Sequence, residues 1–150
     1  MNKTDQTADA ISQEQSRFVV LRHLTPATSE RDSHWDLMLQ RQLVLLTWEL
    51  VEPLQIRNSD HSTEVRRLAD HRIDYLDYEG PVSDDRGRVQ REANGIVEWL
   101  SFTPTKIEAR LESSRLNGFL TLIPENGDQW ILWFSESCSN DAVITRSADS

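Results

Sequence analysis

His34-Trp35-Asp36 places an imidazole and a carboxylate two positions apart, with His23 upstream and Asp70-His71-Arg72-Ile73-Asp74-Tyr75 downstream. Leu37, Met38 and Leu39 continue the segment as a β-strand, in which side chains alternate faces at a rise of about 3.3 Å per residue. His34 and Asp36 therefore point the same way, their roots about 6 to 7 Å apart, and can converge on one small cation or phosphate. Two imidazoles and a carboxylate from separate segments make a compact divalent-metal site, and such ligands suit manganese, zinc and iron alike. Trp35, Leu37 and Leu39 fall on the opposite face of the strand. A histidine and an aspartate that leave water together need a partner, and shared ligation supplies one. His61, in the polar run Asn58-Ser59-Asp60-His61-Ser62, reads instead as a surface residue.

The elements that must position these groups read as β. Residues 18–22 form a short apolar strand, 34–40 alternate polar and apolar positions, and 43–50 follow after a very short connection, which makes a hairpin. Residues 95–102, 106–112, 116–123 and 129–134 repeat the style, with Pro124-Glu125-Asn126-Gly127-Asp128 as a turn between the last two. In the final strand Trp130, Leu132 and Phe134 share one face while Ile131 and Trp133 share the other, which predicts burial on both sides. The tryptophans at 48, 99, 130 and 133 read as core. A helical piece is expected only around residues 62–69. The expected fold is mostly β, a small closed or partly open β-barrel of antiparallel strands with at most one or two short helices.

Composition narrows the function classes. The 150 residues suffice for one domain with its own core. Residues 17–134 are expected to be that domain, with 1–16 and 135–150 as flexible polar tails. No apolar run approaches the roughly 20 residues of a membrane helix. The polar opening Met1–Ala10 lacks the pattern of a secretory signal, so a cytoplasmic location is expected. The single cysteine, Cys138, excludes an internal disulfide and makes cysteine-ligated metal chemistry an unpromising reading. A formal charge of −9 repels a phosphate backbone at long range, so any nucleic acid must be held locally. Of the 16 basic residues only Lys3 and Lys106 are lysines, and arginine's rigid fork suits phosphate.

A wider pattern runs through the chain: FVVLRH at 18–23, HWDLML at 34–39, Trp48, RLA at 67–69 and DHRIDYLDYEG at 70–80. In that order it resembles the 3′-phosphoesterase domain of bacterial DNA ligase D, whose segments read VVQKH, HYDFRLE, SWAVPKG, RLAV and EDHPLDYADFEG. KIEARL at 106–111, LNG at 116–118 and WIL at 130–132 match in style, so the resemblance covers residues 18–134. It implies a stand-alone, partly divergent β-barrel phosphoesterase acting with manganese on nucleic-acid 3′ ends in break repair, removing 3′-phosphates and 3′-ribonucleosides. The implied partners are DNA or RNA–DNA 3′ ends and a ligase or polymerase in trans, and the chain is expected to be a monomer. The implied metal ligands are His23, Asp36 and His71. His34 would contact the scissile phosphate, Tyr75 would line the site, and Arg67 would grip phosphate.

The departures bear on the same chemistry. The family's arginine in HYDFRLE falls on Met38, on the face shared by His34 and Asp36, and the lysine of SWAVPKG falls on Glu52. Arg22, Arg31 and Arg86 are the cations available to stand in. These losses favour, as an alternative, a metal-containing nucleic-acid-end or phosphate-binding module without strong turnover. An H-x-D followed by a distant histidine is also the facial triad of non-haem iron oxygenases, for which His71 would be the distal ligand.

Overall fold

Alternating apolar residues along much of the chain leave its extended stretches with faces to bury, and pairing edge to edge satisfies their backbone groups. A computed structural model describes residues 16–30, 32–82 and 86–137. The tails expected over 1–16 and 135–150, with Cys138, lie almost wholly outside these residues, as do Arg31 and the run Ser83-Asp84-Asp85. The strands are β1 (Arg17–Leu24), β2 (His34–Arg41), β3 (Val44–Leu50), β4 (Thr63–Arg72), β5 (Gly80–Pro81), β6 (Arg88–Thr103), β7 (Lys106–Ser113), β8 (Asn117–Asn126) and β9 (Gln129–Ser135). One 3-10 turn, Ile73–Leu76, joins β4 to the segment leading into β5.

The expectation of a small β-barrel is corrected. The strands form a single nine-stranded antiparallel sheet in the order β1-β2-β3-β4-β9-β8-β7-β6-β5, ending on the two-residue strand β5. β1 pairs with β6 as well as with β2, and the two-residue β5 continues the sheet beyond β6 as an edge strand. The long β6, of 16 residues, pairs with β1, β5 and β7, and its ladders are offset at Val20/Leu21 and at Trp99/Ser101. Such offsets bend a strand and increase its twist.

The helix expected around residues 62–69 is also corrected, because that stretch lies within β4. Arg, Leu and Ala favour a helix locally, but Thr63–Arg66 fill the gap beside β9 while Arg66–Arg72 pair with β3. Ladder pairing and the burial of Val65 override the local preference. The predicted β2–β3 hairpin is present, with Arg41 opposite Val44 across a two-residue loop. Gln42 takes the left-handed conformation there, at φ 58°.

Burial on both faces of β1, β2 and β3 organises the rest. The larger core gathers Phe18, Val20, Leu37, Leu39, Trp48 and Phe134 with residues of β6 to β8 on one side of the sheet. A second, smaller cluster of Val19, Leu21, Met38, Leu45, Leu76 and Val89 occupies the other face. Each fully buried aliphatic side chain contributes about 1.5–3 kcal/mol. Leu76 reaches this second cluster from the 3-10 turn, and the ion pair Arg17–Asp77, at 2.8 Å, ties the end of that turn to the start of β1. Among the described residues no helix is long and apolar enough to cross a membrane.

Candidate metal centre

The second face of β2 carries His34, Asp36 and Met38 in a row, while Trp35, Leu37 and Leu39 pack on the larger core. Antiparallel pairing sets His23 of β1 directly opposite His34, and Leu21 opposite Asp36. The two imidazole rings stand 4.7 Å apart between centroids. His34 and Asp36 are 4% and 5% exposed, so both have left bulk water.

Backbone carbonyls set the histidine tautomers. The Nδ1 of His34 lies 3.2 Å from the Asp32 carbonyl, Nε2 of His23 lies 2.8 Å from the Arg86 carbonyl, and Nδ1 of His71 lies 2.9 Å from the Ala69 carbonyl. A carbonyl only accepts, so each of these nitrogens carries the hydrogen, and in the neutral imidazole the other ring nitrogen keeps its lone pair. For His34 that lone pair is on Nε2, 3.4 Å from Oδ1 of Asp36; for His23 it is on Nδ1, 3.8 Å from Oδ2. Oδ1 of Asp36 is buried without a hydrogen-bond partner.

Electron-rich atoms facing one another at these distances repel unless a proton or a metal cation lies between them. One donor atom from each of His23, His34 and Asp36 falls within 4.8 Å of the other two, a group able to hold a divalent ion. Ligands about 2.1 Å from an ion in tetrahedral array stand about 3.4 Å from each other. The carbonyls behind the histidines supply the outer contacts that orient metal-bound imidazoles. The donor set does not single out manganese from other divalent metals.

His71 lies beside this group rather than within it. It lines a cavity of about 280 Å³ that also exposes His23, Asp36, Tyr75, Arg72 and Arg86, with Met38 in its lining. A second cavity of about 320 Å³ touches His23, His34, Asp36 and His71 as well. The Tyr75 ring meets His71 edge-on, 5.5 Å between centroids. Arg67 lies outside the lining of both cavities: its guanidinium donates to the Thr47 and Leu68 carbonyls, pairs with Asp70 at 2.9 Å, and sits over Trp48. Arg22 stacks over Trp35, away from the site. Arg86 supplies both a carbonyl to His23 and part of the cavity wall. Arg72 was not among the sequence candidates; it comes to the wall beside His71 only through the way β4 ends.

The chain is 26% identical over 136 residues to the multifunctional non-homologous end joining protein LigD of Mycobacterium bovis, and equally to the multifunctional non-homologous end joining DNA repair protein LigD of Mycobacterium tuberculosis. The match covers 83% of this chain and 17% of those proteins, so the chain spans under a fifth of their length. No protein-family profile matches it.

Proposed function

We propose that this chain is a metal-dependent phosphoesterase that removes 3′-phosphates or 3′-ribonucleotides from nucleic-acid ends in DNA repair, with manganese as its metal. The observation that carries this reading is Asp36: a buried carboxylate, lacking a hydrogen bond on Oδ1, between two histidines whose tautomers aim lone pairs at it. The resemblance to the 3′-phosphoesterase domain and the partial similarity to LigD supply the substrate class.

His23, His34 and Asp36 would hold the ion, which supplies charge neutralisation at a phosphoryl oxygen. His71, with Nδ1–H held by the Ala69 carbonyl, keeps Nε2 as a proton acceptor at the cavity wall, where it can take the proton of an attacking water. Tyr75 packs edge-on against His71 and restricts its ring. Cations of the cavity wall offset charge building on the phosphoryl oxygens.

Met38 favours a second reading. It is 1% exposed and apolar at the next position on the site's face, where it offers no donor to a phosphate. A module that binds nucleic-acid ends through the metal without turning them over fits that floor. Purified protein given manganese and a 3′-phosphorylated primer separates the two. Hydrolysis abolished by Asp36→Ala supports the phosphoesterase; metal-dependent end binding without product supports the module.

A further inference from the structure

We propose that Arg72 is the phosphate-gripping side chain of this site, an inference that rests on the phosphoesterase reading. A phosphoryl group beside His23, His34 and Asp36 needs donors for the oxygens that do not react, and charge-assisted bonds from a guanidinium fork are the strongest available. Met38 and Val89 make part of the cavity lining apolar. Asp70, also in the lining, is neutralised by Arg67. The cations that remain at the wall are Arg72 and Arg86.

Arg72 differs from the other arginines around the site in having nothing to hold. Arg67 is committed to two carbonyls and Asp70, Arg91 to Asp77 and the Leu76 carbonyl, and Arg22 to the Trp35 ring. Arg72 makes no side-chain hydrogen bond at the start of the 3-10 turn, and among the described residues no ion pair or ring contact engages it. It stands at the last residue of β4, where the extended backbone, φ −76° and ψ 148°, leaves the sheet. That exit frees its side chain from strict alternation, so both His71 and Arg72 line the same cavity. An acidic chain that repels polyanions at a distance needs its positive charge placed at the point of contact, and an uncommitted arginine at the cavity wall provides it.

The test uses the full chain loaded with manganese and inorganic phosphate as the probe, read by broadening of the phosphorus NMR line. The parent is expected to bind phosphate only with manganese present. Arg72→Ala is expected to weaken phosphate binding about ten- to a hundredfold while manganese affinity, read by electron paramagnetic resonance, stays unchanged. Arg72→Lys keeps the charge without the fork and recovers only part of the affinity. Arg88→Ala, which alters a separate cavity beside Pro26 and Pro81, leaves phosphate binding as in the parent. Phosphate binding by Arg72→Ala equal to the parent overturns the assignment of Arg72 and leaves the phosphoesterase reading standing. A manganese-loaded parent that binds no phosphate overturns both.

Discussion

Replacing Asp36 with asparagine should reverse the order of stability between parent and variant according to whether metal is present. In metal-free protein the carboxylate is 5% exposed, lacks a hydrogen bond on Oδ1, and faces ring nitrogens that offer lone pairs at 3.4 and 3.8 Å. A buried acceptor left in that state costs about 1–3 kcal/mol. Asparagine removes the charge and brings an NH₂ group that can donate to Nε2 of His34, so Asp36→Asn is expected to stabilise the metal-free chain by about 1–3 kcal/mol. For a domain of this size that is a rise of roughly 3–9 °C in Tm. Manganese at a thousand times its Kd should stabilise the parent by about 4.1 kcal/mol and the variant by almost nothing. Urea titrations and thermal melts, each run with a chelator and with manganese, read all four values. A variant less stable than the parent in chelator would show that the carboxylate is already compensated, for instance by an imidazolium. Equal protection of both proteins by manganese would remove Asp36 from the ligand set.

Two further substitutions test the frame around the site. Gly95→Ala would place a Cβ 2.1 Å from the Glu112 carbonyl oxygen and 2.7 Å from Cβ of Ser113. Backbone of the paired strand β7 cannot yield cheaply, so a loss of about 2–3 kcal/mol is expected in urea denaturation, and an unchanged midpoint would refute the close approach of β6 and β7. Asp77→Asn tests the link between the 3-10 turn and β1. The Arg17 hydrogen bond, and then the Arg17 charge, hold the Asp77 carboxyl below the usual carboxylate range. The stabilisation is therefore present above about pH 4 and is lost as pH falls through the lowered folded value. The stability gap between parent and variant should close in acid, and also in molar salt because the pair is exposed. A gap that persists in acid would contradict the assignment.

Alternation made the central feature legible from residue order alone. His34 and Asp36 share a face because they are two apart on a strand, and the apolar partners at 35, 37 and 39 are found packed on the other side. The β2–β3 connection and the turn before β9 were equally local. What escaped depends on distant pairing. β4 looks helical in isolation and becomes a strand because β3 and β9 flank it. The path of the sheet rests on β1 pairing with β6, residues some seventy positions away, for which no local signal exists. The site divides the same way. The tautomers of His23 and His34 depend on the Arg86 and Asp32 carbonyls. The preference for His34 over His71 as the neighbour of His23 depends on the β1–β2 register.

That register is where folding and chemistry meet. A shift of one residue between β1 and β2 would carry every side chain of a strand to the other face, taking Leu37 and Leu39 out of the larger core and His34 and Asp36 into it. Burial of two leucines and of Phe18 and Val20 opposite them opposes such a slip by several kcal/mol at about 1.5–3 kcal/mol each. The polar trio contributes nothing comparable without a cation, since its lone pairs face one another. Packing on one face thus holds three mutually repelling groups on the other. A divalent ion held by Asp36 and its two histidines would offset that repulsion at the place where the cavities open.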